Sequence, residues 1–333
     1  MRRSLRAFAF VVAASVSLTG CGAARTVLGI HEAPKANAAS VPLTLEQARR
    51  ILTRDFVAAQ LGETTTGAAS QVALRTAYTG QALRAANARV KLAKVQPAAT
   101  DSPLLVPQQP RLLALSRGFG YPRVIVAQTV APESPLPILH LLTSPDAATP
   151  YRISVSATML PASSVKPFDA VIMGSPLATD GACLAVSGPA LLAAYATAMA
   201  FPAKAVKNPP FAADPFSAQV RAKAGAVARS VAAQASFSQV HKVVPKSMYA
   251  VQQAGGDALV FGVIERTDAF TVKPGQAVNT SGNKGFVLLS GKKQVTKAAS
   301  ISWLELVVFA VPRSTGRATL VAVSEQMVAG SGT

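Results

Sequence analysis

At 333 residues the chain is long enough for about two domains of ordinary size. Half of it is hydrophobic and 14% is charged, against about 25% in a typical soluble domain, which excludes a disordered, collagen-like or coiled-coil chain. Lys and Arg number 33 against 15 Asp and Glu, a formal charge of +18.

The chain opens on a basic stretch containing Arg2, Arg3 and Arg6, followed by an uncharged apolar run from Ala7 to Leu18. Such a run fits the h-region of a signal peptide and is too short to span a hydrocarbon core of about 30 Å. It ends in Leu18-Thr19-Gly20-Cys21, which resembles the lipobox of bacterial lipoproteins. That resemblance implies a signal peptide over residues 1–20, a diacylglyceryl group on the Cys21 thiol and cleavage before Cys21. The acyl group would then anchor the protein to the outer face of the cytoplasmic membrane. Only a thiol forms the thioether, and the two small residues let the extended chain enter the peptidase. Arg2-Arg3 also matches the start of a twin-arginine signal, but the surrounding residues fit the general secretory route better.

Lipidation of Cys21 leaves Cys183 as the remaining thiol, so no intramolecular disulfide is expected. Its apolar setting beside Leu184 predicts a small buried residue rather than a nucleophile.

Residues 21–42, rich in Ala, Pro, Asn and Ser, read as a tether that holds a folded body off the bilayer. Thr44-Leu45-Glu46-Gln47 fits a capping box and opens a helix with Leu45, Ala48, Leu52 and Phe56 on one face and a stop at Gly62. A second helix is expected over Gln81–Val95. Strands follow at Arg111–Ser116, Arg123–Val130, Ile138–Thr143 and Tyr151–Leu160, punctuated by Gly and Pro. These elements make a first α+β unit over 43–160, and 161–189 reads as an irregular connector.

The second unit, 190–330, begins with an uncharged helix over Ala190–Phe201, bounded by Pro189 and Pro202 and too short for a membrane span. Asp214-Pro215 opens another helix, with Asp as N-cap and Pro in the first turn. Strands are expected at Met248–Gln253, Ala258–Arg266, Phe286–Ser290, Ile301–Val311 and Ala318–Gln326, with Gly255-Gly256-Asp257 as a hairpin turn. The tail from Gly330 to Thr333 is expected to fray. The fold class is therefore α+β, with two helix-plus-antiparallel-sheet units.

Helices first and a curved sheet after resemble the nuclear-transport-factor-2-like cone fold. Short stretches resemble an uncharacterised family of actinobacterial envelope lipoproteins: Gly120-Tyr121-Pro122-Arg123, Thr179-Asp180-Gly181, Ala193-Ala194-Tyr195, Phe211 to Phe216, and Gly256 to Phe261. That resemblance carries no catalytic residue with it.

The motifs of common chemistries are missing or incomplete. His31, His140 and His241 stand apart from other metal ligands in sequence, so no metal or other cofactor is expected. No Gly-x-Ser-x-Gly elbow occurs. Ser-x-x-Lys at Ser163–Lys166 and Ser281–Lys284 lacks the accompanying elements of penicillin-binding enzymes. Gly118-Phe119-Gly120 is a turn, not a dinucleotide fingerprint. Glu265 and Glu305, each on an apolar strand, are candidate cavity carboxylates. Period-two alternation puts Ile301, Trp303, Glu305 and Val307 on one face.

The basic excess remains. Between Asp268 and Glu305 lie Lys273, Lys284, Lys292, Lys293 and Lys297 and no acid. Export and the lack of interleaved aromatics argue against nucleic acid, leaving anionic lipid or wall polymer as the partner for Lys284, Lys292, Lys293 and Lys297. No protein partner is identifiable. The expected function is a non-enzymatic binding or scaffolding role in the cell envelope. A small-ligand or lipid carrier with an apolar cavity is the alternative, and a hydrolase comes third.

Overall fold

The computed structural model describes residues 40–95, 110–130, 136–178 and 183–333. Cys21, the signal peptide and most of the tether lie outside them. All described residues belong to the compact unit Asn37–Thr333. The fold is α+β.

The capping box at Thr44 forms as its residues dictate. The Thr44 hydroxyl accepts from Gln47 N at 3.1 Å, and Thr44 N donates to Gln47 Oε1 at 2.8 Å. It starts α1 (Leu45–Thr64), which buries Ala48, Leu52 and Phe56. Leu45 stays 38% exposed. Gly62 does not stop the helix. It is buried where α2 (Gly67–Ala77) crosses, and a Cβ there would lie 2.6 Å from Leu74 Cδ2. The glycine permits a close helix crossing, and α2 was not expected from sequence. The third helix, α3 (Gly80–Leu92), starts one residue before the expected position.

Four strands follow as an antiparallel meander: β1 (Arg111–Leu115), β2 (Arg123–Val130), β3 (Pro137–Ser144) and β4 (Arg152–Met159). Their bounds match the expected strands to within a residue. Two helices open the second half, α4 (Gly188–Ala198) and α5 (Pro215–Val231). Asp214 caps α5, its carboxylate accepting from Ser217 N at 2.7 Å.

The second sheet segment comprises β5 (Ala235–Val243), β6 (Tyr249–Gln252), β7 (Ala258–Val272), β10 (Ala298–Val311) and β11 (Thr319–Gly332). Both β5 and β6 pair with the same edge of β7, so they act as one strand interrupted by a loop. Gly255 and Gly256, both at φ +92°, make the β6–β7 turn. Between β7 and β10 the chain makes an excursion: β8 (Val278–Asn279), α6 (Lys284–Ser290) and β9 (Gln294–Val295).

All strands except β8 and β9 form one nine-stranded sheet, in the order β1-β2-β3-β4-β11-β10-β7-β5. Each half runs from its outer strand inward, and the last strands of the two meanders pair. That joint is short: Met159 faces Ala322 and Thr158 faces Val323. Beyond it α3 packs against both β4 and β11. The connector ties the outer edges. Ser175 N donates to Leu115 O of β1 at 2.8 Å, while Gln252 N of β6 donates to Pro176 O at 2.9 Å.

The largest core runs across both halves, from Leu52, Phe56 and Leu74 through Leu139 and Leu141 to Phe261 and Leu306. A second core joins α4 to the opposite face of the second half, with Leu192 and Tyr195 against Val260, Val307 and Phe309. Gly262 admits this contact, since a Cβ there would meet Leu192 at 2.5 Å.

Two further expectations need correction. Phe286–Ser290, expected as a strand, is the body of α6. Asn283 caps it by accepting from Phe286 N at 2.9 Å, and Gly291 at φ +71° ends it. The tail does not fray. Gly330, Ser331 and Gly332 pair with Ile301, Ser300 and Ala299, and Thr333 O accepts from Thr296 N and Lys297 N at 2.9 Å.

Candidate functional site

The excursion between β7 and β10 holds four of the sequence-derived site residues. Its small core is Val272, Phe286 and Val295, with Val278, Ala299 and Ile301 packed around it. These apolar side chains do not close completely. They leave a half-open cleft of about 180 Å³ lined chiefly by Phe270, Val272, Val278, Phe286, Val295 and Ile301. Asn279, Thr280 and Asn283 supply its polar edge.

Lys284, Lys292, Lys293 and Lys297 are all exposed, as is Lys273. Each is adjacent to a cleft residue in the chain or through one backbone contact. Lys284 follows Asn283, and Lys273 follows Val272. Lys293 O accepts from Thr280 N at 2.9 Å, Lys292 O accepts from the Thr280 hydroxyl at 2.7 Å, and Lys297 O accepts from Val272 N at 2.8 Å. Among the described residues none of the five forms an ion pair, although Lys273 Nζ donates to Ala232 O at 2.7 Å. Some arginines do pair with acids, as Arg84 does with Glu265 at 2.9 Å and Arg89 with Glu63 at 2.5 Å.

The two candidate carboxylates do not share a site. Glu265 lies on the face covered by α3, where it meets Arg84. Glu305 is fully buried on the other face, on the same side of the sheet as the cleft floor. Register places His241, Arg266 and Trp303 side by side across β5, β7 and β10. Glu305 Oε1 lies 3.2 Å from both His241 Nε2 and Arg266 Nη1. Arg266 Nη1 also donates to Glu325 Oε2 at 2.8 Å, and its Nε is 3.4 Å from Asp268 Oδ1. The guanidinium carbon sits 4.6 Å from the Trp303 ring centre.

Three carboxylates therefore converge on one guanidinium. Burial holds the Asp268 carboxyl above its ordinary range, opposed by Arg266 and by the hydrogen bond from Gln239. Removing one partner of such a buried cluster is strongly destabilising, because it leaves the other charges uncompensated. Sequence reading found Glu305 but missed its partners. His241 belongs to β5, whose mixed alternation Phe237-Ser238-Gln239-Val240-His241 gives only a weak strand signal.

The remaining sequence candidates are dispersed. His140 is buried in β3, with its ring nitrogens 2.8 Å from the Thr129 hydroxyl and 2.9 Å from that of Ser156. Cys183 is exposed, contrary to expectation. Leu184 takes the inward position against the second core, and alternation turns its neighbour outward. Ser163 donates to Leu160 O and Val321 O, while Lys166 pairs with Asp257, so that Ser-x-x-Lys match brings no base to the hydroxyl. Among the described residues no group of three or more His, Cys, Asp or Glu is arranged to hold a metal. No described helix is long and apolar enough to cross a membrane. Comparison with protein-family models, curated proteins and solved structures gives no match.

Proposed function

We propose that this chain is a lipid-anchored protein of the bacterial cell envelope with a non-enzymatic binding role toward anionic lipid headgroups or wall polymer. The lipobox-like Leu18-Thr19-Gly20-Cys21 supports the anchor. The observation that carries the binding role is the excursion itself, where Lys284, Lys292, Lys293 and Lys297 stand exposed without an acidic partner among the described residues. Near an anionic surface each such base contributes up to about 1 kcal/mol. The attraction decays within about 8 Å at physiological salt, so the acyl group would supply the proximity that makes it effective. A second reading, a carrier of small apolar ligands, draws on the cleft in the same excursion.

The test is co-sedimentation of residues 40–333 with phosphatidylglycerol and phosphatidylcholine vesicles. Binding should favour the anionic vesicles, and about 0.5 M salt should remove most of the difference through screening. Replacing Lys284, Lys292, Lys293 and Lys297 by Gln should weaken binding and leave thermal stability nearly unchanged. Equal binding to both vesicle types would contradict the proposal.

A further inference from the structure

We infer that the cleft and the lysines of the same excursion form one site for a membrane lipid of phosphate headgroup, with the carbons of an acyl chain nearest that headgroup seated between Phe286 and Ile301. The inference rests on the reading of these lysines as an anion-contacting face, and names what that face holds.

Two independent observations meet here. The cleft walls are apolar, and their volume of about 180 Å³ is comparable to an engineered cavity of about 150 Å³ that stays dry and takes benzene. The space therefore suits about six carbons. Headgroup contacts come from outside the cleft. Lys284, Lys292, Lys293 and Lys297 are each linked by one peptide or one hydrogen bond to Asn283, Thr280 or Val272 of the lining. An apolar cleft in a segment that carries four exposed lysines, none with an acidic partner among the described residues, is complementary to an amphiphile with an anionic end. It is not complementary to a sugar or to a neutral hydrocarbon. Asn279, Thr280 and Asn283 sit at the boundary, where a glycerol or phosphate oxygen would meet them.

Gly282 provides a way to block the cleft. It lies on the lining, and a Cβ built there meets no atom within 4 Å, so bulk can be added at this position without displacing backbone.

The experiment is calorimetric titration of residues 40–333 with butyl, hexyl and octyl phosphate, with octyl glucoside and inorganic phosphate as comparators. Affinity should rise about fourfold per added methylene until the cleft is filled. Octyl phosphate should bind at least tenfold more tightly than octyl glucoside and than inorganic phosphate. Gly282→Phe, checked for an unchanged melting temperature, should flatten the chain-length series. Replacing the four lysines by Gln should erase the advantage of phosphate over glucoside and keep the chain-length trend. Equal affinity for butyl and octyl phosphate would overturn the inference, as would equal affinity for octyl phosphate and octyl glucoside. Salt-sensitive binding to phosphatidylglycerol vesicles with a flat chain-length series would sink the acyl site alone. Loss of vesicle preference would sink the surface-binding reading instead.

Discussion

Asp55 and His140 are buried titratable groups whose effects on stability run in opposite directions. Burial pushes the Asp55 carboxyl up to about 6, although Arg54 Nε donates to it at 2.6 Å. Its contribution is greatest when it is protonated and is lost as pH rises from about 4 to about 6. Burial alone lowers the His140 imidazole to about 3. That contribution is intact above about 6.5 and is lost as pH falls toward about 3. Between pH 4 and 6 the two trends oppose each other. Asp55→Asn removes one of them, so the variant should lose stability on acidification from pH 6 to 4 more steeply than the parent, by about 2 kcal/mol. Urea midpoints at the two pH values measure this, and parallel slopes would contradict it. Single residues were readable where chemistry is local, as at Thr44, whose cap needs only Gln47 three positions on. Arg266 was not, because its partners Glu305 and Glu325 are brought to it by strand register.

α6 shows how an element can be misread and what holds it in place. Phe286-Val287-Leu288-Leu289 looks like a strand because it is apolar and short, and periodicity does not separate the two states at that length. Its caps decide the matter, Asn283 before and Gly291 after. The helix then packs on the end of β11, where a Cβ on Gly330 would lie 3.2 Å from Phe286 and 3.5 Å from Leu289 Cβ. Gly330→Val should push α6 outward, destabilise the protein by about 1–3 kcal/mol and speed tryptic cleavage at Lys284, Lys292 and Lys293. Gly282→Ala, with open space around its Cβ, should leave both the urea midpoint and the cleavage rate near the parent's. Equal behaviour of the two variants would show that this packing does not secure the helix. Strands β1 to β4 were readable to within a residue because Pro and Gly bracket apolar runs or, in β4, a strict apolar–polar alternation. α2 was missed although its buried Ser70, Ala73, Leu74 and Ala77 recur at helical spacing.

At the scale of the molecule, the sequence shows two runs of helices followed by strands, and nothing local shows how they meet. The joint between β4 and β11 rests on two facing residue pairs separated by more than half the described chain, and such pairing leaves no pattern in either segment. The connector is equally opaque. It reads as irregular, yet it hydrogen-bonds β1 on one side and β6 on the other. The result is one sheet with the lysine-bearing excursion attached between β7 and β10. The central claim is that acylation of Cys21 brings this excursion to an anionic surface. Membrane partition of the full chain and of Cys21→Ser, at low salt and after washing in about 0.5 M salt followed by carbonate, tests it most directly. The account predicts that the parent stays with the membrane throughout, while Cys21→Ser is partly bound at low salt and released by the wash. Retention of Cys21→Ser after both washes would contradict it.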